Sequence, residues 1–210
     1  MVKLEYAGHG KRHKEAFYTD FEELADDLYD EIKRTVKPSE KYALMGYSMG
    51  SISLVEILKK ILGLKEIMPP KHVFLAAHEP LNRKELKDIP ENKRDEFIKA
   101  RTIRFGGIPE KLLNNQSFWR MYLPIYRNDY MMIGKYDFDK LDLKTQIAAT
   151  VFYSQSDTPV ENMKLWKKYF IGKSEFIEFN GSHFFIQEHC QEIGSMINDR
   201  LQMEEKNHDI

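Results

Sequence analysis

The chain is nearly without cysteine. Cys190 is the only one in 210 residues, so no disulfide can form within it, and the usage fits a reducing compartment. It also lacks an excess of charge of either sign. Thirty-two Lys and Arg stand against 33 Asp and Glu, a net charge of −1. That balance gives no global electrostatic argument for a nucleic acid or an anionic membrane as partner. No run approaches the roughly 18 apolar residues that a membrane helix needs. The opening "MVKLEYAGHGKRHKE" has no apolar core of a signal peptide. A soluble cytoplasmic protein is the expectation. There is no internal repeat, no low-complexity stretch, no G-x-G-x-x-G and no phosphate-binding loop. No His/Cys/Asp spacing suggests a metal, so neither metal nor other cofactor is expected.

What is present is apolar patterning. A hydrophobic fraction of 42% at this length allows a sizeable core and suits one domain over residues 1–210. "VKLEY" (Val2 to Tyr6) reads as a short strand. "TDFEELADDLYDEIKRTV" reads as a helix with a Thr19/Glu22 capping box, an inward face of Phe21, Leu24, Leu28 and Ile32, and Pro38 as its stop. "KYALMGY" and "HVFLAA" read as buried strands. Between them "SISLVEILKKILG" is a helix with Gly63 as its C-terminal glycine. "IAATVFY" and "EFIEF" are further strands, and Phe185 to Leu201 is a final helix burying Ile186, Cys190, Ile193 and Ile197. Strands alternating with helices imply an α/β fold, with a mostly parallel sheet covered on both faces. Residues from about 81 to 143 break that rhythm with helical pattern alone and are read as an insertion.

The stretch Gly46-Tyr47-Ser48-Met49-Gly50 is a G-x-S-x-G between a strand and a helix. A sharp strand-to-helix turn there lifts a serine hydroxyl above the sheet edge, and the glycines allow the close approach. The turn also places the Met49 N–H at a helix N-terminus, where it can donate to a developing oxyanion. The competing reading is a helix-capping serine beside small packing residues. A serine nucleophile needs a base held by an acid, in the chain order Ser, Asp or Glu, His. His183 follows the last strand and Asp157 the strand before it. Taken alone, Asp157 reads equally well as a turn or capping residue. His78 precedes the acid in sequence and is read as lining; His9 and His13, in the first βα loop, suit the surface ahead of a role in shaping the pocket mouth, and His72, His189 and His208 a structural or exposed role.

These motifs resemble those of type II thioesterases, the stand-alone editing enzymes of nonribosomal peptide and polyketide synthesis in the α/β-hydrolase superfamily. "AGHGKR" resembles the family's P-G-x-G-x-R loop, with Ala7 in place of proline. "GYSMGS" resembles its G-H-S-M-G elbow, with Tyr47 in place of histidine. "RFGGIPEKLLNNQSFWRMYLPIYRNDYMMIGKY" resembles its helical lid, and "GSHFFI" its terminal histidine motif. The resemblance implies Ser48, Asp157 and His183 as a catalytic triad, and acyl groups on phosphopantetheinyl carrier proteins as substrate, with a monomer expected. Trp119, Met121, Tyr122, Tyr126 and Met131 are candidates to contact the acyl group. Arg83, Lys84, Arg101 and Arg104, near the lid, are candidates to dock an acidic carrier. The chain begins at what resembles the second strand of the family. A first strand between "VKLEY" and "YALMGY", and the F-P-x-A-G-G loop that supplies a second oxyanion donor, are expected to be lacking. Either upstream residues complete the sheet, or the two strands pair directly, or activity is impaired. The alternative readings are a carrier-binding remnant with impaired catalysis and a general serine esterase of the same fold.

Overall fold

The computed structural model describes residues 1–83 and 89–206, with side chains through Gln202. Lys84 and His208 lie outside the described residues. Four parallel strands, β1 (Ala43–Tyr47), β2 (His72–Ala76), β3 (Ala148–Tyr153) and β4 (Ser174–Glu178), form one sheet in the order β1-β2-β3-β4. The helices are α1 (Phe21–Thr35), α2 (Met49–Leu64), α3 (Glu91–Phe105), α4 (Glu110–Leu113), α5 (Gln116–Lys135), α6 (Val160–Met163), α7 (Phe185–Glu188) and α8 (Cys190–Lys206). Helices α3, α4 and α5 all lie between β2 and β3. Among the described residues no helix is long and apolar enough to cross a membrane.

Strand alternation sorts the core into two layers. Val73, Leu75, Ala149 and Val151 face the cluster built on α1 and α2, with Phe21, Leu24, Leu28, Ile52, Val55 and Leu58. Phe74, Ala76 and Phe152 face the opposite cluster, with Phe179, Phe185 and Ile193. Successive side chains of a strand point to opposite faces, so a strand buried on both must be apolar or pair its polar groups, as His72 of β2 does with Thr150 Oγ1 at 2.9 Å. All five residues of β2 are buried.

Several local expectations change. Helix α1 is capped by Asp20, which accepts from the Glu22 and Glu23 amides. Glu23, rather than Glu22, reaches back to the Thr19 amide. The box is shifted by one residue because Asp20 is the better-placed acceptor. The same helix ends at Thr35, ahead of Pro38. Helix α2 runs through Gly63 and ends on Lys65, which takes the left-handed conformation itself at φ 56°. The last helical stretch breaks at His189, leaving Cys190 exposed while Ile193 is buried.

The largest change concerns the front of the chain. Val2–Tyr6 is not a strand and does not pair with β1. Side chains hold it instead: Leu4 and Tyr6 pack against the α1/α2 core, and the Tyr6 hydroxyl lies 2.8 Å from Ser53 Oγ. Among the described residues β1 is therefore an edge strand. Its register with β2, and the Ser48 amide donating to the Ala76 carbonyl, turn the backbone of Leu44 and Gly46 toward β2. Ala43, Met45 and Tyr47 present theirs to the other side. The Met45 side chain is 41% exposed in a strand whose neighbour is wholly buried.

Hydrogen exchange followed residue by residue tests this edge. We expect the Met45 amide to exchange at least about tenfold faster than the Gly46 amide, because an unpaired edge amide opens without breaking a ladder bond. Equal protection of the two would show that a further strand covers β1.

Candidate active site

The site begins at the end of β1. Ser48 lies between that strand and α2 with φ 54° and ψ −122°, an unusual conformation for a residue with a side chain. Its amide donates to the Ala76 carbonyl at 2.8 Å, and its carbonyl accepts from the Ser51 amide at 2.9 Å. The buried Ser51 hydroxyl bridges the Gly46 and Ala76 carbonyls, each at 3.1 Å. Strand and helix pass so closely that a Cβ on Gly46 would lie 2.2 Å from the Gly50 carbonyl oxygen. Ser48 occupies the helix-capping position, but its hydroxyl makes no capping bond. It lies 2.9 Å from His183 Nε2.

His183 comes from the loop after β4. Asp157 comes from the turn after β3, where the Asp157 and Thr158 amides both donate to the Ser154 carbonyl. The two Asp157 carboxylate oxygens lie 3.0 and 2.9 Å from His183 Nδ1. A carboxylate can only accept, so Nδ1 carries the proton and Nε2 presents its lone pair to the Ser48 hydroxyl. Asp157 makes no cap for α6, which starts after Pro159 without a side-chain capping bond. The side chains of His183 and Asp157 are 12% and 8% exposed. The arrangement can draw a proton from Ser48 Oγ and hold the resulting imidazolium beside a carboxylate. Met49 is the first residue of α2, so its N–H lacks an intrahelical partner and belongs to the positive end of the helix dipole.

Two supports of this loop were not anticipated. The Tyr47 hydroxyl donates to the His183 carbonyl, and its ring lies 5.5 Å from the imidazole. Burial, and then the Asp157 charge, push the Tyr47 pKa well above its usual value, so the phenol stays a donor. Ser154 Oγ donates to the Gly181 carbonyl at 2.5 Å, where glycine sits at φ 119°. The sequence signal for Tyr47 was its place inside the elbow motif; its partner is 136 residues away.

A cavity of about 630 Å³ opens beside Ser48, His183 and Asp157. Phe97 and Phe105 of α3 and Tyr130 and Ile133 of α5 form its other wall. His78 lines it as expected and is buried; desolvation, then the nearby Arg83 charge, pulls its pKa down to about 3, so it is neutral. Trp119, Met121, Tyr122, Tyr126 and Met131 do not line this cavity. Trp119, Tyr122, Tyr126 and Tyr130 share one helical stripe, but each residue advances about 1.5 Å along the axis. Trp119 is thus about 16 Å from Tyr130, and it borders a separate cavity of about 380 Å³. Met121 is 66% exposed and Met131 half-buried. His9, expected at the surface, instead ties the first loop to α5: its ring contacts the Ala7 carbonyl at 3.0 Å and Asp129 at 3.2 Å. Among the described residues no group of three or more His, Cys, Asp or Glu is placed to hold a metal.

A family model described as "Thioesterase domain" matches residues 1–201. The medium-chain S-acyl fatty acid synthase thioesterase of Rattus norvegicus is 28% identical over 185 residues, 86% of this chain and 68% of that protein. A probable cadicidin biosynthesis thioesterase of Streptomyces griseus is 25% identical over 204 residues, 96% of this chain; the chain spans about half, 55%, of that relative. Among solved structures, YbtT, a type II thioesterase from the yersiniabactin pathway, superposes with a TM-score of 0.83 at 18% identity, covering 96% of this chain and 81% of its own. That likeness establishes the fold, an α/β-hydrolase type.

The elbow's closeness gives a paired stability test. Gly46→Ala forces a methyl against fixed backbone, and overpacking of this kind costs about 2 kcal/mol or more. We expect its melting temperature to fall by about 4–8 °C. Gly63→Ala, with nothing within 4 Å of the new methyl inside α2, should be neutral or stabilising. Equal effects from the two changes would refute the close approach.

Proposed function

The chain belongs to the thioesterase domain family, and from that premise we propose that it acts as a type II thioesterase, hydrolysing acyl groups from the phosphopantetheine arms of carrier proteins. The observation that carries this reading is the continuous hydrogen-bonded series Ser48–His183–Asp157 at the wall of the 630 Å³ cavity. The names of the relatives support the substrate class, since they refer to a fatty acid synthase, to cadicidin biosynthesis and to the yersiniabactin NRPS/PKS pathway.

In this reading Ser48 Oγ attacks the thioester carbon while its proton passes to His183 Nε2. Negative charge moves onto the carbonyl oxygen, where the Met49 N–H donates. The C–S bond breaks, and the departing thiol takes the proton from His183. Water then attacks the acyl-serine ester, His183 takes one of its protons, and the acid leaves as Ser48 regains a hydrogen. Asp157 holds the imidazole in the required tautomer and stabilises its charged form. The residues around 81–143 act as a lid insertion, with α3 and the C-terminal half of α5 roofing the acyl site. No bound cofactor enters these steps.

Three measurements test it. Incubated with an acyl-carrier substrate, the wild type should show an acyl adduct by mass spectrometry and Ser48→Ala none; an adduct on the variant would remove Ser48 from this role. Asp157→Asn and His183→Ala should each lower kcat by about 10⁴, and the double variant should lose little more, because the pair works as a unit. Losses that multiply would reduce Asp157 to a turn residue. Finally, an acyl group on a carrier protein should be released with higher kcat/KM than the same group on a small thiol, since remote contacts can be used at the reacting centre.

A further inference from the structure

Resting on the thioesterase reading, we infer that His9 and Asp129 form a proton-dependent latch. One shared proton holds the middle of α5, and with it the α5 wall of the cavity, against the first loop, so substrate binding weakens as pH rises and that proton is lost to solvent. Neither residue touches the reacting atoms; both are positioning residues.

The latch follows from a count of protons. Both ring nitrogens of His9 face acceptors: Nδ1 lies 3.0 Å from the Ala7 carbonyl oxygen and Nε2 3.2 Å from Asp129 Oδ2. A carbonyl can only accept, so Nδ1 carries a hydrogen. A neutral imidazole would then turn a bare lone pair at Nε2 toward a carboxylate oxygen, and the two would repel. The contact is a hydrogen bond only while the pair holds one further proton. His183 differs, because its Nε2 faces a hydroxyl that brings its own proton. Asp129 Oδ1 is buried without a hydrogen-bond partner among the described residues. The Tyr6 and Phe17 rings meet the imidazole edge-on, with centres 5.6 and 6.2 Å away, and limit its rotation.

The sign of the pH dependence follows from the surroundings. Burial opposes charge on His9, but the bond to Asp129 and its charge outweigh burial and leave the His9 pKa above the usual histidine value. The ionisable groups that face the pair are Tyr6, from the first segment, and Tyr126, from α5. Burial above all raises both phenols, Tyr6 to about 12, so neither titrates near neutrality. A histidine raised above its ordinary value of about 6.5 leaves the latch complete below that pH and lost as pH climbs through the folded-state value.

Tyr130 directly follows Asp129, and Tyr130, Ile133 and Gly134 all line the cavity. Tyr136, which closes α5, is held separately by Glu56 of α2 at 2.6 Å. Asp129 is about 10 Å along the axis from that anchor. Arg127 joins α5 to Asp95 of α3 at 2.8 Å, so the two helices move together. Loss of the His9 contact therefore leaves α5 fixed at its end and loosened at its middle, where the cavity wall begins.

The test measures KM and kcat for butyryl-pantetheine on the full chain between about pH 6 and 9, where a raised histidine titrates. Asp129→Asn and His9→Gln each rebuild the contact without a proton to lose: the Asn amide donates to the Nε2 lone pair, and the Gln amide donates to the carboxylate. We expect the ratio of wild-type KM to that of either variant to rise by about tenfold across the window, the scale of one charge-assisted hydrogen bond. The corresponding kcat ratio should change by less than about twofold, because the latch acts on binding. Taking ratios cancels titrations common to all three proteins, His183 included. Imidazole NMR, with the His9 signals assigned by their loss in His9→Gln, should show Nε2 protonated at the acid end and bare at the alkaline end, with a midpoint that coincides with the KM change. Flat KM ratios, or a His9 Nε2 without a proton throughout, would overturn the latch and leave the thioesterase reading standing. No turnover by any of the three proteins would overturn the thioesterase reading, and the latch would then stand or fall on the NMR titration alone.

Discussion

The contact between β1 and the start of α2 is the constraint on which the site depends. The chain must reverse from strand to helix within one residue. It can do so only because Gly46 has no side chain where the Gly50 carbonyl passes. Ser48 takes up the turn at φ 54°. A residue with a side chain in such a conformation costs on the order of 1–3 kcal/mol, and persists only where its surroundings over-determine it. The surroundings do so here: the Ser48 amide is bonded to β2, its carbonyl to α2, and Ser51 clasps both strand ends from below. The strain releases the Ser48 hydroxyl from helix capping and aims it at His183.

The rest of the sheet serves to bring two distant loops to that point. β2 and β3 are buried on both faces, so their positions are set by packing from α1 and α2 on one side and α8 on the other. Parallel strands bring all the C-terminal ends to one edge, the place where α/β sites collect. The turn after β3 supplies Asp157, the loop after β4 supplies His183, and Tyr47 pins the latter to the elbow. The opposite side of the sheet is less settled. β1 carries the elbow yet stands at an edge among the described residues, with Met45 turned to solvent. Among the described residues the strand on which the site is built has ladder support from β2 alone.

The helical segment between β2 and β3 supplies the cavity roof and its charge. Helix α5 is tied to the body by the His9–Asp129 contact at its middle, and by Tyr136, whose hydroxyl donates to Glu56 of α2 at 2.6 Å. Burial raises the Asp129 pKa even though the contact with His9 opposes the shift, so this tether lies in a poorly hydrated place. Phe105, Arg101 and Tyr130 follow in succession away from His183, which makes this wall of the cavity both aromatic and cationic.

Local patterns in the sequence determined the alternation of strands and helices, the inward face of α1, and the G-x-S-x-G turn, because each depends on neighbours within a few residues. Asp157 and His183 could be nominated for the same reason: their places after successive strands follow from a parallel sheet. Where a residue's role depends on partners far along the chain, the sequence was silent or misleading. The Val2–Tyr6 segment alternates like a strand, but strand formation needs a ladder partner and Tyr6 found α2 instead. Trp119 shares a helical stripe with Tyr130, but only the rise of α5 decides which end of the stripe overlies the cavity. Arg101 and Arg104, which the sequence offered as docking residues on an outer face, line the cavity instead, because the packing of α3 over the sheet, which no local pattern encodes, chose the side they face.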